Sequence, residues 1–157
     1  MTIDELVEEI EGRIAGGAEL SVVLERAVNA LHTINARFDW TGIYELFPDG
    51  VLRLGPFVGA PTDHVFIGMG DGVCGTAVAE RRNINVPDVR ELDNYLACSA
   101  ETRSELVVLI RSGETIHAQI DIDSHSVAAF DDQTVSDVER LAEVLARAYD
   151  AAGVSGA

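Results

Sequence analysis

Apolar and polar positions alternate with two different periods along the chain, and the switch between them divides it into helices and strands. From Thr2 to about Ala15, residues Ile3, Leu6, Val7, Ile10 and Ile14 form one stripe at helical spacing. Thr2 followed by Glu5 makes a capping box at its start, and Gly16 and Gly17 end it. A second helix is predicted from about Leu20 to Ile34, with Leu20, Leu24, Ala27, Val28 and Leu31 on one face. At Asp39 the period changes. DWTGIYELF, the turn Pro48, Asp49, Gly50, and VLRLGPF read as a β-hairpin, with Trp40 and Tyr44 on the same side of the first strand. Periodicity alone reads that aromatic pair as core filling.

Residues 55 to 72 are rich in glycine and carry two prolines, so they are expected to be largely loop. A loop of that length in a compact domain is often functional. A short helix opening at Cys74 (CGTAVAERR), a short strand (NINV) and the loop PDVRELDNYLACSAETR follow. These glycines do not have the arrangement of a nucleotide-binding turn.

The segments SELVVLI and ETIHAQIDIDS form a second hairpin whose register can be argued from burial. A two-residue loop, Ser112 and Gly113, sets Glu105 among Ile116, Ala118 and Ile122 in the core. A three-residue loop, Arg111 to Gly113, with Gly113 left-handed, sets Leu106, Val108 and Ile110 there instead. The second buries no carboxylate in the apolar core and is preferred. It puts Glu105 on one face with His117, Gln119, Asp121 and Asp123, beside Val107 and Leu109, a mixture unlike an ordinary solvent face. Asp131 or Asp132 caps a last helix to about Tyr149, with Val135, Val138, Leu141, Leu145 and Ala148 inward, and residues 151 to 157 read as a frayed tail. The fold class is α+β: one domain over residues 1–157, with a helical lead-in over about 2–34, a central antiparallel sheet of about five to six strands, and the N- and C-terminal helices on one face.

Composition narrows the chemistry. The 157 residues hold 27 acids against 11 basic residues, a net charge of −16, and all 11 are arginine. Such a charge repels nucleic-acid phosphates and anionic lipid, so neither is an expected partner. An acid-rich, lysine-free surface is similar to that of proteins working in molar salt, where charges are screened within about 3 Å; a GC-rich genome is the alternative source of the Arg-for-Lys bias, though not of the acid excess. No apolar run reaches the roughly 20 residues that span a bilayer, and the acidic start MTIDELVEEIEGR is unlike an export signal. A cytoplasmic location is expected. There two cysteines, Cys74 and Cys98, are more often reduced, reactive or buried than bridged. They stand 24 positions apart without the spacing of a zinc site, so no metal is expected. A thiol beside clustered carboxylates suits either nucleophilic chemistry with a proton donor or capture of a cationic group.

GVCGTA, VPDV, the ACS of YLACS, SELVV, IDIDS and AFDDQ occur in an order and spacing that resemble the free methionine-(R)-sulfoxide reductases, which are GAF-domain proteins. Trp40, Tyr44 and GPFVGAP are similar too, and the resemblance covers about residues 20 to 147. It implies a GAF fold, a homodimer, no bound cofactor, and thiol-dependent reduction of free L-methionine-(R)-sulfoxide with thioredoxin as the external donor. Under it Cys98 is the attacking cysteine and Cys74 a second thiol for disulfide formation. Glu105, Asp121 and Asp123 hold the substrate's amino group and sulfoxide oxygen, Trp40 and Tyr44 enclose its methyl-sulfur end, and the backbone of Leu96, Ala97 and Cys98 holds its carboxylate. The chain departs from the family pattern at four positions. His64 stands where the family commonly has a further, often principal, resolving cysteine; Tyr95 replaces a histidine, Ser99 an aspartate and Ala118 a glycine. Two functions follow from the same pocket: the reductase, or a non-catalytic GAF module that binds methionine sulfoxide or another amino-acid-like ligand as a sensor.

Overall fold

In the computed structural model the described residues are 1–93, 95 and 100–153. The helices α1 (Ile3–Ala15) and α2 (Leu20–Ile34) lead into strands β1 (Trp40–Leu46), β2 (Leu52–Val58) and β3 (Phe66–Ile67). Helix α3 (Gly72–Glu80), strand β4 (Ile84–Val86), a 3-10 turn at Val89–Glu91, strands β5 (Ser104–Ser112) and β6 (Thr115–Ser124), and helix α4 (Asp132–Ala152) complete the chain. The strands form one antiparallel sheet in the order β3-β2-β1-β6-β5-β4.

Local chemistry accounts for the element ends. The Thr2 hydroxyl accepts from the Glu5 N–H at 3.2 Å while the Glu5 carboxylate accepts from the Thr2 N–H at 2.9 Å, which completes the capping box. Asp131 caps α4 by accepting from the Thr134 N–H at 2.8 Å. That helix runs past Tyr149 to Ala152 and closes on left-handed Gly153, so Ala151 and Ala152 belong to the helix rather than to a tail. Residues 154 to 157 lie outside the described set.

The sheet separates two apolar clusters. On one face Ile43, Leu106, Val108, Ile110, Ala118, Ile120 and Ile122 pack against the stripes of α1, α2 and α4. Burying each such side chain contributes about 1.5 to 3 kcal/mol, which makes this layer the mechanical base of the domain. On the other face Trp40, Tyr44, Leu46, Val107, Leu109 and Ile116 pack with α3.

Three further expectations are corrected. The segment 55 to 72 is not mostly loop: Gly55 to Val58 continue β2, and Phe66 and Ile67 pair back on Arg53 and Leu52 as an edge strand. Helix α3 begins at Gly72, two residues before Cys74. In the β5–β6 hairpin the preferred facing of Leu106, Val108 and Ile110 is present, opposite Ile122, Ile120 and Ala118. The turn, however, is Gly113 and Glu114, with Gly113 left-handed at φ 58, and the extra residue sits inside β6. Ile110 pairs with Ala118 while Arg111 pairs with Ile116, so His117 bulges out of the ladder. Parity reverses there. Ile116 joins the α3 face, and His117 stacks on Tyr149 of α4 with ring centroids 5.1 Å apart. Ser112 Oγ and Asp150 give its Nε2 partners at 3.1 and 3.3 Å. His117 therefore does not share a face with Glu105.

Candidate functional site

The α3 face of β1, β6 and β5 brings three rows of side chains together. Trp40 pairs with Asp123, and Asp123 with Glu105, across three adjacent strands. In the next row Gly42 pairs with Asp121, and Asp121 with Val107. Tyr44 lies opposite Gln119. Directly opposed residues in a sheet hold their Cβ atoms about 4.5 to 5.5 Å apart, so strand pairing alone is enough to bring Glu105 and Asp123 together.

Gly42 makes room for the aromatic pair. A Cβ on it would fall 2.4 Å from Cη2 and 2.7 Å from Cζ3 of Trp40. A Cβ on Gly59, at φ +133, would fall 2.6 Å from Trp40 Cδ1. The Trp40 ring therefore lies flat between Tyr44 and Phe57, with centroids 6.2 and 5.6 Å away. Trp40 Nε1 donates to the Ala60 carbonyl at 3.0 Å, and the Tyr44 hydroxyl donates to the His64 carbonyl at 2.7 Å. Both aromatics thus tie the 59–64 segment over the sheet.

The acids lie beneath it. Glu105, Asp121 and Asp123 are 2%, 1% and 1% exposed. Cys74, from α3, points its thiol at Glu105 Oε2, 3.9 Å away. Gln119 Nε2 donates to the Cys74 carbonyl at 3.1 Å, which holds the start of α3 against β6. Among the described residues Glu105 Oε1 and Asp121 Oδ1 have no hydrogen-bond partner, an arrangement that costs free energy unless a proton or a cation supplies one.

Burial is the main cause of the resulting electrostatics. It pushes the Glu105 carboxyl well above the ordinary carboxylate range, and the charges of Asp121 and Asp123 push it further. Burial also raises Asp121, against hydrogen bonds from Glu105 and Cys74 that favour its charged form. Burial first and like charge second thus push Glu105 upward, and of the two raised carboxyls it is the one displaced well above its ordinary range. The Tyr95 hydroxyl is pushed well above its ordinary value by burial and, next, by the charge of Asp123. The set can therefore bind a cationic group through Asp121 and Asp123 while Glu105 offers a proton.

The space enclosed by Tyr44, His64, Ile67, Cys74, Glu105 and Asp121 is about 10 Å³, near the room one water needs. A larger groove of about 330 Å³ lies between α3 and β4, lined by Val73, Ile84, Val86 and Leu92. It shares Gly72 and Val73 with the cavity but is lined by neither thiol nor carboxylate of the cluster. The size of the groove is therefore a poorer guide to the chemistry than the composition of the cavity.

Of the residues singled out in the sequence, Trp40, Tyr44, Cys74, Glu105, Asp121 and Asp123 converge on this one face. Leu96, Ala97, Cys98 and Ser99 lie outside the described residues. Sequence reasoning missed the part played by Gly42 and Gly59; a glycine within a strand otherwise rich in large residues was the available signal. It placed Gln119 on the correct face, but not as the brace on α3. His64 lines the cavity beside Cys74.

The family model described as GAF domain matches residues 17–150. The free methionine-R-sulfoxide reductase of Saccharomyces cerevisiae is 33% identical over 139 residues, 86% of this chain and 76% of that protein. The Escherichia coli protein of the same name is 32% identical over 137 residues, 87% of this chain and 82% of its own length. The free methionine-R-sulfoxide reductase of Neisseria meningitidis, solved in complex with its substrate, superposes with a TM-score of 0.87 at 29% identity, covering 96% of this chain and 90% of that one. A GAF sheet carrying an aromatic pair above three buried acids, together with relatives of this identity and coverage, means that the chain belongs to the GAF-domain family of free methionine-(R)-sulfoxide reductases.

Proposed function

We propose that this protein reduces free L-methionine-(R)-sulfoxide to methionine by thiol chemistry, with Cys98 as the attacking thiol and Cys74 as its partner. The observation that carries the reading is the buried cluster of Glu105, Asp121 and Asp123 facing Cys74 across 3.9 Å. An amino acid's ammonium group satisfies two of these carboxylates, and the proton on Glu105 serves the sulfoxide oxygen. Trp40 and Tyr44 offer an apolar wall to a methyl-sulfur group, while the backbone of Leu96 and Ala97 is the candidate holder of the substrate carboxylate.

The reaction balances as two thiol steps. Attack of the Cys98 thiolate on the sulfoxide sulfur, with protonation of the oxygen, transfers that oxygen to Cys98, leaving methionine and a cysteine sulfenic acid. The Cys74 thiol condenses with the sulfenic acid, releasing water and forming a disulfide. A dithiol donor of the thioredoxin kind then reduces it. In this reading the enzyme works as a homodimer in the cytoplasm without a bound cofactor, and its acid excess suits molar salt.

The test is incubation with racemic free methionine sulfoxide and reductant at high salt, following each epimer. Selective loss of the R epimer, abolished in Cys98→Ser, is expected. Calorimetric binding of the sulfoxide without turnover of either epimer would replace the enzyme with the ligand-binding GAF module. Cys74→Ser is expected to slow turnover driven by thioredoxin more than turnover driven by a small thiol, which reaches a sulfenic acid directly.

A further inference from the structure

Cys74 Sγ and one carboxylate oxygen each from Glu105 and Asp121 lie within 4.8 Å of one another, all buried, although they come from α3, β5 and β6. We propose that these three side chains form a binding site for a single Zn²⁺-class divalent cation. The sequence shows no zinc motif because the three donors are spread over 48 positions and meet only through the sheet.

Three observations converge on an ion. The first is spacing. Tetrahedral zinc with bonds of about 2.3 Å to sulfur and about 2.0 Å to oxygen holds those two donors about 3.5 Å apart. Cys74 Sγ and Glu105 Oε2 are already at 3.9 Å. The second is the unmet demand of the site: Glu105 Oε1 and Asp121 Oδ1 are buried without a hydrogen-bond partner among the described residues. The third is size. The space of about 10 Å³ that the described residues enclose beside the three donors is on the scale of a single ion or water.

Donor chemistry selects the metal. One thiolate with two carboxylates is a borderline set that favours zinc over magnesium, which prefers oxygen alone. Three protein ligands leave a fourth, open position, the pattern of a reactive rather than a closed structural zinc site. On binding, the Cys74 thiol and the Glu105 carboxyl each give a proton to solvent. The three anionic ligands and the dication then carry a net charge of −1. If the acids also receive the substrate ammonium, as proposed above, zinc and methionine sulfoxide compete for the same carboxylates, and a zinc-bound Cys74 is withheld from disulfide formation.

The test uses the full chain in a phosphine reductant, without substrate. Zinc uptake is followed by dialysis and by proton release, and cobalt serves as a spectroscopic stand-in. Expected are one ion per chain, release of protons, a thiolate-to-cobalt absorption band, and no displacement by excess magnesium. Cys74→Ser and Asp121→Asn should each weaken binding by at least about 10- to 100-fold, whereas Glu8→Gln on the exposed face of α1 should not. Circular dichroism of each variant separates loss of the site from loss of the fold, and the cobalt band of the unmutated protein stands independently of either. Absence of stoichiometric uptake, uptake without the thiolate band, or uptake unchanged in folded Cys74→Ser and Asp121→Asn would overturn the proposal. Because binding is read without sulfoxide, that failure leaves the reductase reading untouched, and inactivity toward sulfoxide leaves the zinc site untouched.

Discussion

The two faces of the same strands follow opposite rules. On β6, Ala118, Ile120 and Ile122 point to the helices and bury hydrocarbon, while Gln119, Asp121 and Asp123 point the other way and are equally buried. On β5, Leu106, Val108 and Ile110 contrast in the same way with Glu105. The first face gains stability from every side chain it covers. The second gives some up, because desolvated carboxylates side by side cost free energy that the apolar face must offset. A site of this kind needs a stiff apolar layer one residue away, and the pleat of the strand supplies it.

Substitutions can break this division from either side. The largest effect is expected at Ile122, fully buried against the helices. Ile122→Ala should lower unfolding free energy by about 2 to 5 kcal/mol, measured by denaturant titration. Next is Gly42→Ala, whose new methyl would fall 2.4 Å from the Trp40 ring. It should cost about 1 to 3 kcal/mol as an overpacking change and shift the fluorescence of the single tryptophan.

A substitution on the acid face should act with the opposite sign. Glu105→Gln should raise stability by about 1 to 2 kcal/mol, within the usual range of a single stabilising substitution, while removing the proposed turnover. Its pH dependence follows from the raised Glu105 carboxyl. Between the ordinary carboxylate range and that raised value the folded protein holds a proton that the unfolded chain has lost, so stability falls as pH rises through the window. The penalty is complete above the folded value and absent below the unfolded one. The advantage of Glu105→Gln should therefore be greatest at the alkaline end and vanish near pH 4. A pH series of denaturation midpoints checks this, and an advantage that grew toward acid would contradict the assignment. The smallest effect is expected for Tyr44→Phe, which removes the hydroxyl that donates to the His64 carbonyl. It should cost about 0.5 to 1.5 kcal/mol and loosen the 59–64 segment, seen as faster amide exchange there.

The bulge at His117 shows where reading the chain stopped being enough. Strict alternation puts His117 with Gln119, Asp121 and Asp123, and the facing of those three is observed. Nothing local marks the extra residue. The exchange of faces by Ile116 and His117 is stabilised by Tyr149 and Asp150, which come from α4 at the other end of the chain. The edge strand Phe66–Ile67 escaped notice for a similar reason, since two residues carry no period and pair only because β2 lies beside them.

The amino-acid order alone was enough for the helices, the longer strands, the apolar stripes and the grouping of Glu105 with Asp121 and Asp123, because helical and strand periods are local properties of the backbone. Which face each group meets is also local, up to the first bulge. Tertiary structure decided what covers that face. Desolvation of the acids, the 3.9 Å approach of Cys74 to Glu105, and the fit of the Trp40 ring over Gly42 all depend on elements distant in sequence. A carboxylate's charge state is set by the atoms packed around it, and no periodicity within its own strand specifies those atoms.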